Sequence, residues 1–152
     1  MSIFYSFHYG LDYWRVQQIR NIGHLGDIQP VAAQKWESVR FESDVRIINW
    51  IEQQMKYKRA VVVLIGSETS SRRWVQYEIE QAWAKRKPLL GIRIDGLQDQ
   101  YGRVTRRGED PFLNLGYSGI PVFDPKGAHS SDKYVDIGRN LRSWIGQGRT
   151  RL

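Results

Sequence analysis

Residues 60–65 read AVVVLI, six apolar residues in succession with no polar residue between them. The run is far shorter than the ~20 residues a membrane-spanning helix requires. Its β-branched content makes it a strand. A strand in a half-exposed sheet alternates apolar and polar side chains, and this one does not, so both of its faces must be covered. Parallel sheets flanked by helices supply such cover. "LLGIRID" (89–95) is a second strand of the same kind. Between the two lies "SETSS" and then a helical segment, with Val75, Ile79, Ala82 and Trp83 on its apolar face. Glu78 falls roughly 60° from Val75 at about 100° per residue, on the shoulder of that face and one turn after Trp74. It is either a border charge, which contributes little to stability, or a carboxylate aimed into a cleft. Glu80 points to solvent.

The rest of the chain fits the same plan. "SIFYSFHY" (2–9) is rich in β-forming residues and is stopped by Gly10. Asp12 is placed to cap a helix that buries Tyr13, Val16 and Ile19. Residues 21–30 read as loop, with room for a short edge strand. Ser43 is placed to cap a helix burying Ile47, Ile48, Ile51 and Met55. Residues 96–131 have no long periodic segment and read as irregular, with one short strand near 120–123; so long a loop is usually functional or mobile. The last helix starts near Ser131 or Asp132 and buries Tyr134, Ile137, Leu141 and Ile145, and the tail "GQGRTRL" is expected to fray. The pattern predicts strands over 3–8, 60–66 and 89–94, and helices over 12–21, 43–56, 72–85 and 132–145. Together they form an α/β fold of the flavodoxin-like kind, an open parallel sheet with helices on both faces, in one domain over residues 1–152. Ligands of such sheets bind in the crevice at the carboxyl ends of the strands. Phe7 to Gly10 and Gly66 to Ser71 stand there.

Composition and motifs exclude several chemistries. The chain has no cysteine, which removes disulfides and thiolate zinc sites and fits a cytoplasmic protein. His8, His24 and His129 show no metal-ligand spacing. The positions where a phospho-receiver carries its aspartates read "FHYG" and "LIGS". G-x-G-x-x-G, the G-x-x-x-x-G-K-[ST] phosphate loop and G-x-S-x-G are all absent. Net charge is +7, from 23 basic and 16 acidic residues, which favours an anionic partner. The basic residues are scattered without an aromatic-interleaved stripe. A small phosphorylated ligand is therefore expected rather than nucleic acid, and neither a membrane segment nor a signal peptide is visible.

"FYSFHY" followed by a helix resembles the first conserved box of TIR (Toll/interleukin-1 receptor/resistance protein) domains. "VVVLIGSETSSRRWVQYEI" is similar to their segment in which a serine-rich loop precedes a W-x-x-x-E helix. The likeness covers roughly residues 3–95, and "SFHYGLDYWRVQQIRNIG" resembles more narrowly the TIR-like proteins of bacterial Thoeris anti-phage systems. The Arg-Asp-x-x-Pro-Gly segment through which receptor-type TIR domains assemble is absent. The resemblance implies cleavage of the nicotinamide-ribose bond of NAD⁺ with Glu78 as the catalytic residue. It implies that Phe7, His8 and Tyr9 border the nicotinamide-ribose pocket and that Ser67, Ser71 and Trp74 form its wall. It implies no cofactor, with NAD as substrate, and an ADP-ribose-derived signal, often cyclic, that switches on a separate effector. Self-association or a phage-derived trigger would fit the same setting.

That chemistry is physically coherent. The bond breaks through an oxocarbenium-like centre, as in glycoside hydrolysis. Nicotinamide leaves as a neutral molecule, so no strong general acid is required, and a carboxylate stabilises the developing positive charge. Arg15 and Arg72 are candidates for the pyrophosphate, each against the simpler reading of a solvated surface residue. Whether water or a group of the substrate attacks next, which separates hydrolase from cyclase, is open at this point. The alternative function is a non-catalytic TIR-like module that binds a protein or a nucleotide.

Overall fold

The computed structural model describes residues 2–30, 39 and 41–152. Among these, four strands form one parallel sheet in the order β1-β2-β3-β4: β1 (Ile3–Ser6), β2 (Ala60–Ile65), β3 (Leu89–Arg93) and β4 (Val122–Phe123). The helices are α1 (Tyr9–Arg20), α2 (Asp44–Met55), α3 (Arg73–Ala84), the short α4 (Pro111–Asn114) and α5 (Ser130–Ile145). The expected α/β architecture is present, an open parallel sheet with helices on both faces.

Strand parity explains how the sheet is covered. Tyr5, Val62, Leu64, Leu90 and Ile92 pack against Val16 and Ile19 of α1 and Ile137, Leu141 and Ile145 of α5. Phe4, Val61, Val63, Ile65 and Leu89 pack against Ile47, Ile51 and Met55 of α2 and Val75, Ile79 and Ala82 of α3. Alternate residues of a strand point to opposite faces, so the unbroken β2 run feeds two cores at once. Each fully buried Val, Leu or Ile contributes roughly 1.5–3 kcal/mol. A charge introduced at Val63 would face one of these cores without a partner.

Helix starts show which polar residues act locally. Ser43 caps α2 as expected, its Oγ accepting from the Arg46 N–H at 3.4 Å. Asp12 does not cap α1. The helix begins three residues earlier, with His8 as N-cap and its Nδ1 accepting from the Leu11 N–H at 3.4 Å. At α5, Asp132 is the third helical residue rather than the cap; it closes a capping box with His129, whose N–H donates to its carboxylate at 3.1 Å. Tyr13 was expected in the core but is 40% exposed, stacked on Tyr9 at 5.7 Å. Trp83 and Tyr134 are only partly buried, Trp83 lying against Tyr117 at 5.2 Å. The 21–30 loop holds a single 3₁₀ turn, Gly26–Ile28, and no strand. The tail is anchored rather than frayed as far as Arg149, which exchanges two backbone hydrogen bonds of 2.8 Å with Leu89.

Candidate functional site

At the carboxyl end of the sheet a cleft of about 470 Å³ opens between the end of β1 and the start of α3. Phe7, His8, Tyr9 and Gly10 line one side. Ser71, Arg72, Arg73 and Trp74 line the other, with Val75 and Glu78 deeper on α3. Phe41, from the segment ahead of α2, reaches the same cleft. Six of the seven residues expected here are therefore brought together. Ser67 is not among the lining residues. It lies where the loop after β2 is covered by Gly108, whose Cα side faces the Gly66 carbonyl and the Ser67 Cα so closely that a side chain would not fit.

Glu78 is no border charge. Only 6% of it is exposed, and its Oε1 accepts a 2.9 Å hydrogen bond from the Ser6 hydroxyl. Burial pushes its carboxyl up to about 8, and the Ser6 hydrogen bond, which favours the ionised form, opposes part of that rise. Among the described residues no cation neutralises it, and Ser6 is its only hydrogen-bond partner. Ser6 was missed in the sequence because it sits inside an aromatic strand. Its signal was parity, since Ser6 lies two residues beyond Phe4 and so on the α3 side of β1.

The rim is polar and basic. Arg72 is exposed, and its charge acts on His8, whose imidazole is held below its ordinary value first by burial and then by Arg72. His8 Nδ1 is engaged as an acceptor, so neutral His8 carries its proton on Nε2. Arg73, on the cleft wall, pairs with Asp44 of α2 at 2.7 Å and covers the Trp74 ring at 4.4 Å.

Arg15 is neither on the surface nor free for a pyrophosphate. It is 1% exposed and donates to Asp12 Oδ1 at 3.0 Å, to the Leu97 carbonyl at 2.8 Å and to the Arg103 carbonyl at 3.0 Å. Asp12 Oδ2 is buried without a hydrogen-bond partner and packs on Gly66, where a Cβ would collide with it. Burial pushes the Asp12 carboxyl up to about 6, with the Arg15 guanidinium pulling the other way. Nearby, Asp95 accepts from the Gly108 N–H at 2.8 Å and pairs with Arg93 at 3.3 Å, tying the 96–110 segment to β3. Among the described residues no three His, Asp or Glu side chains are grouped to hold a metal ion, and no helix is long and apolar enough to cross a membrane.

An open parallel sheet whose W-x-x-x-E helix carries its glutamate into the crevice beside β1 defines a TIR-like α/β domain. Residues 4–99 match the family described as "Thoeris protein ThsB, TIR-like domain", more than half of the 152 residues, and the chain belongs to that family. It is 36% identical over 121 residues to the Bacillus cereus (strain MSX-D12) protein named "Putative cyclic ADP-D-ribose synthase ThsB1". The alignment covers 76% of this chain and 62% of that relative, so the chain spans less than two thirds of the relative's length.

Proposed function

We propose that this chain is an NAD⁺-consuming enzyme, one domain over residues 1–152, that breaks the nicotinamide-ribose bond and releases an ADP-ribose-derived signal for anti-phage defence. The observation that carries this reading is Glu78, a buried carboxyl in a cleft whose only partner among the described residues is a serine hydroxyl. A buried acid with no neutralising cation among the described residues keeps its proton up to pH about 8. The nicotinamide ring of NAD⁺ is cationic, and a positive charge beside a carboxyl favours its ionised form. Substrate binding thus favours release of the Glu78 proton to solvent and leaves an anion facing the ribose carbon that becomes oxocarbenium-like. That placement stabilises the transition state more than the ground state, because the carbon gains charge as the bond breaks. Phe7, Tyr9 and Trp74 supply apolar ring surfaces for the nicotinamide, and neutral His8 offers an Nε2–H to a ribose hydroxyl. Arg72 at the rim, rather than Arg15, suits the pyrophosphate.

The name of the Bacillus cereus relative supports a cyclic product, and a cyclase is the finer form of the proposal. Cyclisation requires the attacking group of the same substrate to reach the ribose carbon before water does, so a cleft that excludes water favours it. The product would act on a separate effector. Incubation with NAD⁺, with and without extract of phage-infected cells, followed by chromatography, tests the reading. Free nicotinamide with a cyclic ADP-ribose isomer is the expected result. NAD⁺ left intact under both conditions would favour the non-catalytic module.

A further inference from the structure

We propose that Ser6 is the positioning residue for Glu78, its hydroxyl deciding which carboxyl oxygen faces the substrate; this rests on the NAD⁺ reading above. Ser6 is 1% exposed and stands opposite Val63 in the parallel register of β1 and β2. Its neighbours on that face, Phe4, Val61, Val63 and Ile65, are all apolar core residues. A hydroxyl in such a place loses solvation and needs a hydrogen-bond partner. The partner is Glu78 Oε1, 72 residues away in sequence and 2.9 Å away in space.

The geometry has two consequences. Engaging Oε1 from the sheet side leaves Oε2 as the oxygen for the cleft that Glu78 lines. In the neutral form the proton then sits on Oε2, and an arriving cationic ring favours its release from there to solvent. The strand that carries Ser6 is held by paired backbone bonds, whereas Glu78 sits at the end of a flexible side chain. Fixing it through the strand removes rotamer freedom before the substrate arrives, which is the purpose of preorganisation. A hydroxyl that donates also favours the anion, so Ser6 sets how readily Glu78 ionises.

Two variants and two readouts test this. In protein labelled with ¹³C at glutamate carboxyls, the Glu78 signal is assigned by its loss in Glu78→Gln. Ser6→Ala is expected to move its titration midpoint up by about one pH unit, equivalent to roughly tenfold. Ser6→Cys, a weaker donor of similar size, should fall between, and it carries the measurement if the alanine variant does not fold. In NAD⁺ consumption, kcat/KM should fall about tenfold more below the midpoint than above it, where only the loss of positioning remains. An unchanged Glu78 titration, or activity of Ser6→Ala that matches the wild type at every pH, would overturn the positioning role. A shifted titration in a protein whose wild type never consumes NAD⁺ would uphold the hold of Ser6 on Glu78 and overturn the NAD⁺ reading alone.

Discussion

Two buried carboxyls at the same end of the sheet meet burial in different ways. Asp12 lies beside a guanidinium that bonds it at 3.0 Å and also ties down the Leu97 and Arg103 carbonyls. Glu78 has a single hydroxyl at 2.9 Å. Burial raises both, Asp12 to about 6 and Glu78 to about 8. The nearby guanidinium opposes the rise of Asp12, whereas only a hydroxyl opposes that of Glu78. A carboxylate already neutralised by a buried arginine has little left to offer a cationic substrate. One with no counter-ion among the described residues, at the wall of a cleft, is poised to take one from the ligand. The first is suited to bracing the 96–110 segment and the second to chemistry.

The largest effect should come from breaking the brace. Arg15→Leu leaves the Asp12 carboxyl buried and unpaired, and removing one partner of a buried pair destabilises by about 3–5 kcal/mol. Denaturant midpoints measure this. Replacing Asp12 and Arg15 together by apolar residues should recover much of the loss, because a buried pair is often no better than a packed apolar core. A small effect of Arg15→Leu would mean that the network is incidental.

Next in size is the reactive carboxyl. Glu78→Gln keeps shape and removes the charge, and losing one preorganised electrostatic group lowers the rate by about 10²–10³, or roughly 3–4 kcal/mol. Turnover is compared under conditions in which the wild type consumes NAD⁺. Retained turnover would place Glu78 with Asp12, as a structural acid.

A third, smaller effect separates the two acids by pH. Both folded values lie above the ordinary ones, so the folded protein binds these protons more tightly than the unfolded chain does. Stability therefore falls as pH rises through each window, from 3.8 to about 6 for Asp12 and from 4.5 to about 8 for Glu78. Between pH 6 and 8 only the Glu78 window of the two remains open. The wild type should lose stability across that interval relative to Glu78→Gln, which should be the more stable protein at pH 8. This replaces the expectation, drawn from a border position, that the substitution leaves stability alone. Parallel Tm curves for the two proteins from pH 6 to 8 would contradict the burial of Glu78.

The smallest effect belongs to Glu80, exposed on the same helix. Glu80→Gln should change stability by no more than about 0.5 kcal/mol, and turnover should match the wild type. A loss equal to that of Glu78→Gln would show that net charge on α3, not a placed carboxyl, drives the reaction.

Much of this molecule was legible from local pattern. The apolar runs of β2 and β3 required cover on both faces, and the spacing of Ile47, Ile51 and Met55, or of Val75, Ile79 and Ala82, identified the helical faces that provide it. Trp74 and Glu78 stood out because the W-x-x-x-E spacing follows a strand and a serine-rich loop. The residues that misled were polar ones whose roles depend on distant partners. Arg15 looks like a surface cation on a helix, yet its three acceptors come from its own helix and from residues 97 and 103. Asp12 has the chemistry of a cap, but His8 caps the helix and Asp12 turns inward.

The sequence by itself determined most of the secondary structure, the two-sided sheet and the glutamate worth watching, because side-chain period and burial are encoded within a few residues of one another. It did not determine the state of that glutamate. Whether Glu78 is a solvated charge or a buried acid depends on Ser6, 72 residues earlier, and on how closely β1 and α3 approach. Desolvation and hydrogen bonding act through space over a few ångströms, whatever the separation along the chain. Only the packing of strand against helix brought the serine and the glutamate within that range.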